Sequence, residues 1–244
     1  MPIIYLSPST QEFNPYIGGG DEETYMNLVA DAMIPYLDSS GIEYVRNTPD
    51  MTAASSIAAS NAGNYDLHLA LHSNATGSGL GNVRGSEVYY YPTSADGQRA
   101  AQIIANNLKL IYPLPDKVRT VATTSLGEVR RTKAPSILIE IAYHDNAEDA
   151  EWIRSNINAI AMNVVLSLTD YFDIPFIAPS PIRYATVLTQ NTALNVRSGP
   201  SLNAAVIGQV PKGETVTVYS EYGDWNVIGY NGITGYVIGR FLSN

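Results

Sequence analysis

No cysteine occurs in the 244 residues, which excludes a disulfide framework, a thiol nucleophile and a thiolate zinc site; any metal would need imidazole, carboxylate or amide oxygen. Charged side chains make up only 15% of the chain, and no run of about 18 apolar residues occurs, so no membrane-spanning helix is expected. Lysine and arginine are scarce, 14 against 23 acids, and the net charge of −9 argues against nucleic-acid binding, which basic contacts to phosphate drive. The opening Met1-Pro2-Ile3-Ile4-Tyr5-Leu6 lacks a basic segment and a small-residue cleavage site and enters a strand-like run at once. No export signal is read there.

What is present suits a globular chain: 45% of residues are hydrophobic, and the length accommodates a larger domain plus a module of about sixty residues. The charge is uneven. Residues 183–244 sum to +1, leaving −10 for the rest. Pro175, Pro179 and Pro181 crowd one short stretch, which favours an extended spacer over a helix or central strand. The expected division is therefore a domain at residues 1–173, a linker at 174–182 and a module at 183–244.

In the first region, apolar strands are expected at residues 3–6, 44–45, 67–71, 87–91 and 136–142, with helical patterns between them. Met26, Val29, Ala30, Met33 and Leu37 recur at helical spacing up to Gly41, with Pro35 expected to kink the run or shift its end. Ala100, Ile103, Ile104 and Leu108 form a second stripe. A third helix is expected from an N-cap at Asn146, with Glu148, Asp149 and Glu151 in its first turn, to about Tyr171. Strands separated by helices imply an α/β fold: a mostly parallel twisted sheet with helices on both faces.

Two strands run into chemistry. In Leu67-His68-Leu69-Ala70-Leu71-His72-Ser73-Asn74 a histidine falls at the carboxyl end, where ligands bind in open α/β sheets. In Ile137-Leu138-Ile139-Glu140 an apolar strand meets an acid, which is costly to bury unless paired, protonated or near a metal. A salt bridge from Glu140 to Arg130 or Arg131 is the simpler structural alternative.

Residues 1–172 resemble the zinc-dependent N-acetylmuramoyl-L-alanine amidases of the amidase type 3 family. The resemblance rests on Ile4-Tyr5-Leu6-Ser7-Pro8-Ser9, on Glu23 followed by Asn27, on Leu71-His72-Ser73-Asn74-Ala75, and on Pro135 to Glu140 through Asn146-Ala147-Glu148-Asp149. It implies Glu23 and His72 as zinc ligands, Glu140 as the catalytic acid/base, and Asn74 and Arg130 as substrate-binding residues. It also implies peptidoglycan as the substrate. One departure stands out: the opening loop reads Ser7-Pro8-Ser9-Thr10-Gln11-Glu12, without the zinc histidine that the family carries there. Gln11 and His144 are the alternatives for a third ligand. A site without zinc, in a chain that only binds the wall, is the second reading, and cleavage within the stem peptide a third. His68 lies about 13 Å from His72 along the strand and is expected to be a buried, hydrogen-bonded residue.

Residues 184–244 resemble bacterial SH3-like domains, through Ala193-Leu194-Asn195-Val196-Arg197-Ser198-Gly199-Pro200, Val206 to Gly213, Gly223-Asp224-Trp225-Asn226-Val227 and Gly232-Ile233-Thr234-Gly235-Tyr236-Val237. A small all-β SH3-like barrel that binds the cell wall is implied, with Tyr222, Trp225, Tyr230 and Tyr236 as candidates for an exposed groove and Trp225 also a core candidate. The pairing of the two resemblances with no visible signal peptide suggests an endolysin-like protein, cytoplasmic until released or exported by another route.

Overall fold

Alternating apolar and polar residues along two central strands, β3 (Leu67–Asn74) and β6 (Ser136–Tyr143), give the first sheet two unlike faces. Leu67, Leu69, Leu71, Ile137, Ile139 and Ile141 are fully buried on one face. His68, His72 and Glu140 occupy positions of the other parity, and successive strand residues point to opposite faces. The computed structural model describes residues 1–77 and 81–243. By internal contacts the chain divides into a unit of Ile3–Met33 with Tyr44–Phe172, and a unit of Asp173–Asn244 with Met1–Pro2 and Ile34–Glu43.

The first unit holds β1 (Ile3–Pro8), the start of α1 (Glu22–Ser40), all but the first residue of β2 (Glu43–Arg46), α2 (Ala53–Ala62), β3, β4 (Ser86–Tyr90), α3 (Ala95–Leu108), β5 (Val118–Ala122), α4 (Gly127–Arg130), β6, α5 (Ala147–Ser155) and α6 (Ile157–Phe172). Its sheet order is β2-β1-β3-β6-β4-β5. β1 with β3, β3 with β6, and β4 with β5 pair in parallel, whereas β4 runs antiparallel to β6. The fold is thus α/β and mostly parallel.

Several elements differ from the sequence expectations. α1 continues through Pro35, because Pro35 and Asp31, whose carbonyl loses its partner, both lie on the exposed side. It ends before Gly41, which takes a left-handed φ of 73° while Ile42 N–H closes on the Leu37 carbonyl. The Asn146 side chain caps α5 by accepting from the Glu148 and Asp149 amides. The expected single third helix is two, broken at Asn156, whose side chain donates to the Trp152 carbonyl at 2.8 Å and whose N–H returns to Ile153. α2 and β5, absent from the sequence reading, also form.

The second unit carries β7 (Arg183–Thr186), β8 (Leu194–Arg197), β9 (Val206–Val210), β10 (Thr215–Tyr222), β11 (Trp225–Tyr230) and β12 (Ile233–Ile238), in the order β7-β10-β11-β12-β8-β9. Every strand pair within it is antiparallel. Asn231 and Gly232, with φ of 48° and 78°, make the two-residue turn that joins Tyr230 to Ile233. Val187, Val196, Val210, Ile228 and Val237 are fully buried at its core. Tyr236 is buried among Ile177 and Val227, so the four aromatics do not share one exposed groove; Tyr222 is exposed, and Trp225 packs partly into the same cluster.

Candidate active site

His72 is almost fully buried, and acids bracket its ring. From the first residue of α1, Glu22 Oε1 accepts from His72 Nδ1 at 2.8 Å. From α4, Glu128 Oε2 accepts from His72 Nε2 at 3.0 Å. An imidazole that donates from both nitrogens is an imidazolium. Burial by itself would push His72 down, but the hydrogen bonds to Glu128 and Glu22 outweigh it and hold the ring well above its ordinary pKa. Both acids respond in kind. Burial would raise Glu128, yet hydrogen bonds from His68 and His72 hold it far below the usual carboxylate range. Glu22 is likewise lowered against its burial by His72 and Asn14.

Outer groups complete the network. Glu128 Oε1 also accepts from Ser7 Oγ at 2.5 Å and from His68 Nε2 at 3.3 Å, while His68 Nδ1 accepts from Ser60 Oγ at 2.9 Å. Asn14 Nδ2 donates to Glu22 Oε2 at 2.7 Å. His68 and His72, too far apart for one ion, are therefore linked through the two oxygens of one carboxylate.

Glu140 lies directly opposite His72 across the β3–β6 ladder, the fifth of eight residues in its strand rather than the last. Its Oε2 is buried and accepts no hydrogen bond among the described residues. Burial raises its carboxyl to about 7; the His72 charge opposes this, and the charges of Glu22, Glu87 and Glu128 add to it. A protonated or ionised form is thus available near neutral pH, as a general acid/base requires. A cleft of about 360 Å³ opens onto His72 and Glu128 between the β1 loop, with Ser9, Gln11 and Phe13, and the start of α2, with Thr52 and Ser56. The larger cleft of about 460 Å³ in the second unit has no carboxylate or imidazole in its lining and is separate from this chemistry.

The sequence-based site residues fall as follows. His72 and Glu140 are brought together. Glu23 is not: it is half-buried outside the cluster, where burial and the charges of Glu12 and Asp21 raise its carboxyl. The acid on His72 is Glu22, a correction with a helical cause, since consecutive helix residues point about 100° apart and only one of the pair can face β3. Gln11 Nε2 lies 3.3 Å from His72 Nδ1. His144 is buried apart from the His72 acids, its Nδ1 beside Ser73 Oγ and the Ser73 carbonyl at 3.0 and 2.9 Å, and its ring stacked on Tyr16. Asn74 donates to Glu87 at 3.3 Å, and Arg130 is exposed at the end of α4. The sequence reading missed Glu128. Its one available signal is His68, a buried ring on a strand that must find a polar partner.

Zinc needs at least three converging donors with free lone pairs. Among the described residues no three imidazoles or carboxylates have that spacing, both His72 nitrogens are spent on acids, and the remaining neighbour, Gln11, offers an amide. The donor set as arranged does not fit the ion.

Fold and site together define an α/β protein with an acid–imidazole cluster on one face of the central strands of a mostly parallel sheet. Residues 14–170 match the N-acetylmuramoyl-L-alanine amidase family, to which the chain belongs, and residues 192–243 match the bacterial SH3 domain. N-acetylmuramoyl-L-alanine amidase LytC of Bacillus subtilis is 37% identical over 91 residues, 36% of this chain and 18% of LytC, so the match spans less than a fifth of that relative. Among solved structures, N-acetylmuramoyl-L-alanine amidase AmiC2 of Nostoc punctiforme superposes with a TM-score of 0.63 at 19% identity, over 70% of this chain and 97% of that one. The catalytic domain of CwlV from Bacillus (Paenibacillus) polymyxa gives 0.62 at 17%, over 72% and 100%. These two likenesses show the fold.

Proposed function

We propose that the chain hydrolyses peptidoglycan at the amide between N-acetylmuramic acid and the L-alanine of the stem peptide, and that residues 183–244 hold it on the wall. The observation that carries this reading is Glu140: a half-buried carboxyl group whose Oε2 is sealed from water without a hydrogen bond among the described residues, poised near neutral pH and registered beside a cationic imidazole. In its ionised form Glu140 takes a proton from the attacking water and returns it to the amine of L-alanine as the C–N bond breaks. The lactyl carbonyl carbon keeps the water oxygen and becomes a carboxylic acid on the sugar, and the L-alanine amine is the leaving group. The His72 charge, fixed by Glu22 and Glu128, offsets the negative charge on the tetrahedral carbonyl oxygen. The family resemblance implies zinc, which the donor set as arranged does not fit.

We assign residues 1–173 to catalysis, 174–182 to a spacer and 183–244 to wall binding. Tethering raises the local concentration of the catalytic unit at an insoluble substrate. The test is digestion of purified wall by the full chain, with and without chelator, followed by identification of new amino termini. New L-alanine termini, reduced about 10²- to 10⁴-fold by Glu140→Gln, are expected. A different new terminus means a stem-peptide endopeptidase. Wall sedimentation with no new terminus means a binding protein, the reading that the missing histidine of the opening loop favours.

A further inference from the structure

The row that joins His72 to Glu140 continues across the sheet. Glu140 is registered opposite Glu87 on β4, and Glu87 opposite Arg119 on β5. Directly opposed residues share a face, so four functional side chains, His72, Glu140, Glu87 and Arg119, cross four neighbouring strands on one side. Strands lie about 4.8 Å apart, which sets the Arg119 position about 10 Å from that of Glu140.

The last two members are built as a unit. The Glu87 side chain is 7% exposed and that of Arg119 70% exposed. Glu87 Oε1 accepts from Arg119 Nε at 2.7 Å and also from its Nη2. Glu87 Oε2 accepts from the Tyr89 hydroxyl and from Asn74 Nδ2. The carboxylate is thus saturated and fixes the guanidinium by one edge. Nη1 donates no hydrogen bond among the described residues, and the side chain is largely exposed. A charge that only guards an edge strand needs no buried carboxylate behind it. A guanidinium gripped along one edge, with the rest of its fork exposed, is set to receive a second carboxylate.

We propose that Arg119 reads a carboxylate on the leaving peptide, the free α-carboxylate of an isoglutamate at the second position of the stem, with Glu87 as its positioning residue. This rests on the proposed function, which places the cut at the first stem residue. An extended peptide advances about 3.3–3.6 Å per residue, so a group one or two residues beyond Glu140 lies within reach of an arginine side chain along the row. Replacing that carboxylate by its amide leaves the guanidinium with a weaker, uncharged acceptor.

The experiment uses the full chain and two synthetic ligands, muramoyl-L-alanyl-D-isoglutamate and its isoglutamine counterpart. Binding is measured by calorimetry on a Glu140→Gln background, and cleavage on the parent chain. The isoglutamate ligand is expected to bind about tenfold or more tightly, because charge-assisted hydrogen bonds are stronger than neutral ones. Arg119→Gln should bring the affinity ratio to about one, and Arg119→Lys, which keeps the charge without the fork, should leave an intermediate ratio. Thermal melts confirm that each variant is folded. Equal affinities on the Glu140→Gln background, no binding of either ligand, or a ratio unmoved by Arg119→Gln would each overturn the proposal. Cleavage at L-alanine without a ratio refutes this inference alone. A ratio without such cleavage refutes the proposed reaction and leaves the carboxylate reader standing.

Discussion

The two faces of strands β3 and β6 make the sharpest contrast in the molecule. On one, six leucines and isoleucines from Leu67 to Ile141 are sealed from water, and the face contributes stability through area and close packing. On the other, His68 and His72 are buried against polar partners, and Glu140 is half-buried with its Oε2 sealed from water and without a hydrogen bond among the described residues. The same strands thus serve as core and as the proposed reactive surface. On that second face burial raises the Glu140 carboxyl, whereas the hydrogen bonds between His72 and its acids outweigh burial and hold the imidazole up and Glu128 down.

The largest test of that contrast is Glu128→Gln. It removes the carboxylate shared by His68 and His72, and breaking one partner of a buried pair costs about 3–5 kcal/mol. Chemical denaturation at pH 7 should show this loss. Because Glu128 is lowered in the fold, its contribution is present above the ordinary carboxylate range and lost as pH falls, so the variant and parent should converge in acid. A pH-independent cost would mean that packing, and not charge, accounts for it.

Ile139→Ala, one residue from Glu140 but on the sealed face, should cost about 2–5 kcal/mol by the same measurement. Turnover under native conditions should be retained. A variant that lost activity while still folded would erase the division between the faces.

Glu140 gives a smaller effect of opposite sign. Its carboxyl is raised to about 7, so the folded chain holds a proton there that the unfolded chain releases near its ordinary value of 4.5, and this group's contribution to stability falls as pH rises between those values. Glu140→Gln should therefore raise the melting temperature more at pH 8 than at pH 5. Activity of the parent should rise with pH through about 7. A rise centred near 4.5 would show a solvated carboxylate.

The smallest expected change lies away from both faces. Asn146→Ala removes the side-chain cap of α5 and should cost about 1 kcal/mol.

Much of the framework was legible along the chain. Apolar runs marked the central strands, Asn146 marked a helix start, and Gly41 a helix end, because each depends on local periodicity or on a backbone conformation that few residues adopt. The break at Asn156 and the passage of α1 through Pro35 were hidden, since both turn on where a freed carbonyl finds a partner. Short elements such as α2 and β5 carry too few periodic residues to stand out.

For the site, the sequence by itself determined that a histidine and an acid lie on two apolar strands, because alternation with buried leucines and isoleucines fixes which face each takes. It could not choose between Glu22 and Glu23, which differ only by a rotation about the helix axis. Nor could it reveal Glu128, an acid in a stretch rich in charge that becomes buried only when α4 lies beside β3 and β6. The tertiary structure decided those two matters, and with them the protonation of His72. Electrostatic environment depends on distance in space, and residues 22, 72, 128 and 140 meet only after the sheet has ordered its strands.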